Sequence, residues 1–153
     1  MSTNELIIRG ATDDDVSIIA QFNRAMALET EDKQLDPQVV EAGVEAILTD
    51  PAKGFYLIAE YQGEIVGTLM ITTEWSDWRN AQFWWIQSVY ILPDARRQGI
   101  YSALHRQVQA LAEEEAEVCG IRLYVDRENR PAQKAYESLG MGPTSYRMYE
   151  EML

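Results

Sequence analysis

The chain has 153 residues, 46% of them hydrophobic and 10% aromatic, which suits one domain with a single core and excludes a disordered chain. Its net charge of −12 argues against nucleic acid, whose phosphates are met by lysine and arginine. No apolar run is long enough to span a bilayer, the stretch MSTNELIIRGATDDD lacks the basic-then-apolar order of a secretory leader, and a single cysteine excludes an internal disulfide and a cysteine-cluster metal site.

In chain order, Glu5 to Arg9 reads as a short strand. Thr12 and Asp15 then mark a helix start, and Val16, Ile19, Phe22 and Met26 give that helix an apolar face to about Leu28. Asp36-Pro37 opens a second helix, with Val40, Val44, Ile47 and Leu48 inward. Phe55 to Tyr61 and Ile65 to Thr73 form a hairpin around Gln62-Gly63-Glu64. Residues 74–80 read as a loop or bulged strand end. A central strand follows at Gln82 to Ile91 and the longest helix at Gly99 to Glu117. Ile121 to Val125 reads as a strand, Pro131 to Leu139 as a helix stopped by Gly140, and Thr144 to Glu150 as a last strand. Cys119 falls near a helix end and reads as a small buried hydrophobe, while His105 reads as facing solvent or packing at an edge. Strand, helix, helix, three strands, helix, strand, helix, strand is an α+β order. The hairpins demand antiparallel neighbours, and the helical crossover after the central strand suggests a parallel pair.

The informative stretch is WWIQSVYILPDARRQGIYSALHRQV, Trp84 to Val108. β-forming residues run to Ile91, Pro93 breaks the strand, and Ile100, Leu104, Val108 and Leu111 recur at helical spacing. Between them lies Arg96-Arg97-Gln98-Gly99. A helix start offers unpaired N–H groups and partial positive charge, glycine lets backbone approach a ligand closely, and arginine adds fixed charge. The unit fits an anion, although an ordinary strand-to-helix connection with solvated arginines has the same sequence.

The turn Arg96-Arg97-Gln98-Gly99-Ile100-Tyr101 resembles the R/Q-x-x-G-x-G/A segment of the GNAT family of N-acetyltransferases. The run from Asn129 to Met141, with Ala132, Tyr136 and Gly140, is similar to that family's N-x-x-A-x-x-x-Y-x-x-x-G-[FM] segment. Tyr101 stands where the family more often has Gly or Ala, so its ring has to point away from the ligand. The resemblance covers nearly the whole chain, 1–153, as one domain. It implies a mixed, mostly antiparallel sheet of about six to seven strands with helices on both faces.

It also implies acetyl-CoA as co-substrate, with no metal. The pantetheine arm would pair with backbone of Val89, Tyr90 and Ile91, and the pyrophosphate would meet Arg96, Arg97, Gln98, Gly99, Ile100, Tyr101 and Ser102. Asn129 and Ala132 would border the donor, although asparagine there also reads as a helix cap. Tyr136 would protonate the departing thiolate, although a core aromatic is the more ordinary fate of such a residue. The acetyl group would pass to a primary amine of a small molecule or protein by direct attack in a ternary complex, with strand N–H groups near Val89 steadying the carbonyl oxygen. The central strand carries no carboxylate where some members have a glutamate. Glu74 and Asp77 are the nearest acids, with Glu74 the candidate base, and Gln87 or Ser88 stand ready to order a water. Trp75, Asp77, Trp84, Gln87 and Glu29 are candidates for the acceptor pocket, since indole faces and carboxylates suit cationic groups.

Charge is unevenly spread: −10 over residues 1–91, zero over 92–134 and −2 over 135–153. That suggests an anionic donor at the arginine turn and a cationic acceptor facing the acidic half. A cytoplasmic enzyme, binding neither nucleic acid nor membrane and with a homodimer contact through Tyr146 and Tyr149, completes the reading. The alternative is a CoA-binding sensor or scaffold without catalysis. The presence of both Asn129 and Tyr136 beside the basic turn favours the enzyme, because a sensor needs no tyrosine.

Overall fold

A computed structural model of the chain describes residues 5–153; the first four residues of the N-terminal stretch read above lie outside the described residues. Two compact units are distinguished, one running to Leu123 and the other Tyr124–Leu153. The first unit holds β1 (Leu6–Gly10), α1 (Val16–Glu31), α2 (Pro37–Thr49), β2 (Phe55–Tyr61), β3 (Glu64–Ser76), β4 (Ala81–Ile91), α3 (Ile100–Glu114) and β5 (Val118–Arg122). The second holds α4 (Arg130–Ser138).

The sheet has order β1-β2-β3-β4-β5, antiparallel from β1 to β4 and parallel between β4 and β5. The mixed, mostly antiparallel sheet expected from the sequence is present with five strands rather than six or seven. Residues Thr144–Glu150 form no strand: a strand needs a neighbouring ladder to satisfy its backbone, and no described residues pair with this segment, whose Tyr146, Met148 and Tyr149 are exposed. β5 begins three residues before its expected start, because Val118 pairs with Gln82 and Gly120 fits beneath the Phe83 ring. Cys119 therefore lies on a strand rather than at a helix end. It is exposed, with its thiol 3.4 Å from the Gln82 carbonyl oxygen.

Strand alternation divides the core between the two faces of the sheet. Leu57 and Ala59 of β2, Leu69 and Ile71 of β3, and Trp84 and Ile86 of β4 join Ile100, Leu104 and Val108 of α3. Tyr56 and Ile58 face the other way onto Ile19 and Ala20 of α1 and Val44 of α2. Ile100, Leu104 and Val108 are at most 1% exposed, and each such aliphatic contributes about 1.5–3 kcal/mol through burial. His105 is buried as well, correcting its assignment to the surface. It lies one turn after Tyr101, whose hydroxyl hydrogen-bonds its Nδ1 at 2.9 Å. Burial, with Arg106 alongside, lowers its pKa below the usual histidine value.

The start of α1 is tied down as Thr12 and Asp15 suggested. The Asp15 carboxylate accepts from the Thr12 N–H at 2.7 Å and from both terminal nitrogens of Arg9 at 2.8 and 2.9 Å. Arg9 in turn reaches Glu60 across the β1–β2 ladder. Asp36 caps α2 by accepting from the Gln38 N–H, with Pro37 at the first helical position.

Candidate active site

The first unit places a break in regular structure at the end of β4. Met70 pairs with Gln87 and Thr68 with Tyr90, so Ser88 and Val89 together oppose the single residue Leu69. This is a β-bulge, and Ser88 sits in the left-handed region at φ 51°. The extra residue reverses the inward–outward phase: Trp84 and Ile86 point to the α3 face before the bulge, Val89 and Ile91 after it. Tyr90 is thereby delivered to the α1 face, where its ring meets Phe22 at 5.2 Å.

Pairing between β4 and β5 ends at Trp85 and Arg122, while β4 continues to Ile91. Its last six residues, Ile86–Ile91, thus extend past the parallel ladder. Among the described residues no strand pairs with that edge beyond Trp85, and an unpaired strand edge is where an extended ligand can add.

Beyond β4, Pro93–Ala95 form one 3-10 turn and the chain enters α3 through Gly99. Arg97 and Gly99 both have positive φ, 64° and 79°, on either side of Gln98. Left-handed residues alternating in this way turn successive N–H groups toward a common concavity, which suits an anion. No side chain caps α3 among the described residues, and the Gly99 carbonyl accepts the Ala103 N–H at 3.1 Å. The first-turn amides therefore have no intrahelical acceptor. A Cβ on Gly99 would meet nothing within 4 Å, so the turn opens onto free space. The Tyr101 ring is engaged along the helix with His105.

Arg96 behaves differently from its neighbours. Its Nε donates to the Ile91 carbonyl at 2.9 Å, and its Nη2 lies 3.2 and 3.3 Å from the two Glu29 oxygens. Its guanidinium also sits 5.5 Å from the centre of the Tyr90 ring. Tyr90 hydrogen-bonds Glu29, which with Arg96 holds that carboxyl below the usual glutamate value. Burial and the Glu29 charge push the Tyr90 hydroxyl upward. Arg97 makes no ion pair among the described residues.

On the α1 face of β3 and β4 lie Thr72, Glu74, Phe83, Trp85 and Gln87, because directly opposed residues share a face. Gln87 Nε2 donates to Thr72 Oγ1 at 2.6 Å. Glu74 lies within β3, the strand end of the two readings, and its Oε1 accepts from Trp85 Nε1 at 2.9 Å and from Arg122 at 2.8 Å. The Trp85 hydrogen bond, then Arg122, hold its pKa below the ordinary glutamate value. The Arg122 guanidinium lies 3.6 Å from the Phe83 ring centre. The tryptophans do not form one pocket. Trp84 is buried against Phe55 on the α3 face, and the same alternation sends Trp75 to that face too, away from Gln87. Asp77 is exposed in the turn that joins β3 to β4.

In the second unit, Asn129 Oδ1 accepts from the Ala132 N–H at 3.2 Å and so caps α4. Ala132 and Tyr136 are four residues apart on one helix face. Tyr136 is half-buried, and burial raises its pKa above the ordinary tyrosine value. No group of three metal-ligating side chains occurs among the described residues, and no described helix is long and apolar enough to cross a membrane.

A bulged strand thus runs into a helix start that no side chain caps among the described residues, entered through a left-handed glycine. Residues 19–141 match the profile of the Acetyltransferase (GNAT) family, and the chain belongs to that family. A possible acetyltransferase from Clostridium difficile shares 43% identity over 97% of each chain, with a TM-score of 0.89. Two more distant structures share the fold. A predicted acetyltransferase with acetyl-CoA from Clostridium acetobutylicum has 19% identity over 95% of this chain and 96% of that one, at TM-score 0.76. An aminoglycoside acetyltransferase from an uncultured soil sample, in complex with sisomicin, has 16% identity over 98% of each, at TM-score 0.78. No curated protein sequence matches the chain.

Proposed function

We propose that the chain is an acetyl-CoA-dependent N-acetyltransferase that acetylates a primary amine by direct attack in a ternary complex. The observation that carries this reading is the uncapped start of α3 behind two left-handed residues, placed at the end of a bulged strand whose edge runs past its parallel neighbour. The amides around Gly99, Ile100 and Ser102 would hold the diphosphate, with Arg97 adding charge. The Ile86–Ile91 edge would receive the pantetheine arm, and the bulge at Ser88–Val89 would turn an N–H toward the thioester carbonyl.

The donor supplies an activated acetyl group; the protein brings the amine to it and manages the protons. Tyr136, kept protonated by its raised pKa, would give its proton to the thiolate as the carbon–sulfur bond breaks. Glu74, held as a carboxylate by Trp85 and Arg122, is a weak base. Its charge would instead draw a cationic acceptor toward the face that also carries Trp85 and Gln87. The amine would lose its proton to water, so activity should rise with pH toward the pKa of the amine itself. Asn129 would set the start of α4 and with it the position of Tyr136.

Thermal-shift titration with acetyl-CoA followed by thiol release with a panel of amines tests the proposal. Stabilisation by acetyl-CoA and amine-dependent thiol release are expected. Stabilisation without thiol release from any amine would indicate a sensor, and no stabilisation would overturn the donor reading.

A further inference from the structure

Arg96 is the first residue of the turn motif, and its charge suggests a partner for the donor's phosphates. Its surroundings suggest another task. All three of its contacts point back toward the strand and α1: Nε to the Ile91 carbonyl, Nη2 to both Glu29 oxygens, and the guanidinium plane over Tyr90. Ile91 is the last residue of β4, so the arginine bonds the very point where strand becomes turn. Glu29 is in the last turn of α1, and its carboxylate also receives the Tyr90 hydroxyl. Four groups from three elements thus close on one another around the entrance to the turn.

We propose that Arg96 and Glu29 act as positioning residues: the pair is a strut that fixes the exit of β4 and thereby the aim of the amides at residues 97–102, and Arg96 is not itself a phosphate ligand. The pair is partly exposed, with side-chain accessibilities of 44% and 38%, and an exposed ion pair adds little to global stability. Its value is geometric. The planar fork of arginine joins a backbone carbonyl and a carboxylate at once, which a lysine ammonium on its single flexible stem does not reproduce.

The strut makes an unusual sign prediction. Glu29 is an acid near a turn meant for an anion, so simple Coulomb reasoning says that neutralising it should strengthen donor binding. If Arg96 were a phosphate ligand restrained by Glu29, freeing it would strengthen binding further. If the pair is a strut, Glu29→Gln weakens donor binding instead.

This inference rests on the acetyl-CoA reading, and calorimetric titration of acetyl-CoA into the wild type, E29Q, R96K and the double variant separates the two. The expected result is a Kd raised about three- to tenfold in each single variant, with the double variant no worse than either, because both remove the same strut. In steady state the loss should fall on the donor KM, with kcat at saturating donor within about twofold of wild type. An E29Q that binds acetyl-CoA as well as or better than wild type would overturn the strut, as would an R96K that keeps wild-type affinity or losses that fall on kcat instead. A wild type that binds no acetyl-CoA would overturn the donor reading itself.

Discussion

Gly99 and Gly63 offer a matched pair of perturbations. Both have the same left-handed backbone, φ 79° and 80°, and an added Cβ at either would meet nothing within 4 Å. They differ in place: Gly99 opens α3, while Gly63 lies in the turn joining β2 to β3. Alanine at either site leaves packing untouched and imposes only the left-handed penalty, about 1–2 kcal/mol. For a domain of this size that corresponds to a fall of roughly 2–8 °C in Tm. The two variants should therefore lose similar stability in a thermal melt. Their donor affinities should diverge. Relaxation of residue 99 toward negative φ would turn its amide and the next away from the shared concavity. Loss of one hydrogen bond to a charged group costs about 1.5–3 kcal/mol, or roughly a ten- to hundredfold weaker Kd by titration calorimetry. Gly63→Ala should bind acetyl-CoA like the wild type. Equal affinities in the two alanine variants would refute the assignment of these amides to the donor.

Further outcomes follow from other residues. Tyr136→Phe should lower kcat in a thiol-release assay by about 10²–10⁴, the usual contribution of a positioned acid, with the donor Kd little changed; an unaltered kcat would remove that role. Because burial raises the Tyr136 pKa, any limb it causes in the wild-type pH–rate profile should lie above the ordinary tyrosine range. Gly54→Ala should lower the urea midpoint by the equivalent of about 2–5 kcal/mol, since Gly54 has φ 139° and its Cβ would clash with the backbone carbonyl oxygen of Ile71. Asp15 is held below the usual aspartate value chiefly by its hydrogen bonds from Arg9, so its contribution is complete above that usual value and is lost as pH falls through its lower folded pKa. The Tm gap between wild type and Asp15→Asn should thus be constant from about pH 7 to 5 and shrink progressively below about pH 4; a gap that does not shrink at all between pH 5 and pH 3 would contradict this.

The parts of this fold that were legible are those governed by local rules. Asp36-Pro37 opens α2 and the Gln62-Gly63 turn closes a hairpin because a cap, a proline and a tight turn act within a few residues. The glycine at the start of α3 was legible for the same reason. What the sequence concealed was non-local or depended on phase. A serine at φ 51° carries no warning in its side chain, so nothing local in the sequence marks the bulge at Ser88 or the reversal that sets Tyr90 on the α1 face. Trp75 and Trp84 were candidates for a pocket shared with Gln87, but period-two alternation sends both to the opposite face of the sheet from Gln87. Glu74 was a carboxylate seeking a role until Arg122, forty-eight residues away, proved to hold it. The Glu29–Arg96 pair spans sixty-seven residues, and no spacing within one element could have revealed it. Thr144–Glu150 had the residues of a strand without a ladder to join.

Amide chemical shifts of the 15N-labelled protein, followed during titration with coenzyme A, locate the donor along the chain. The largest changes should fall on the amides of Arg97 to Ser102 and of the Ile86–Ile91 edge, and a pantetheine lacking the diphosphate should perturb the strand edge but spare the helix start. Saturation with coenzyme A that leaves residues 97–102 unshifted would contradict this.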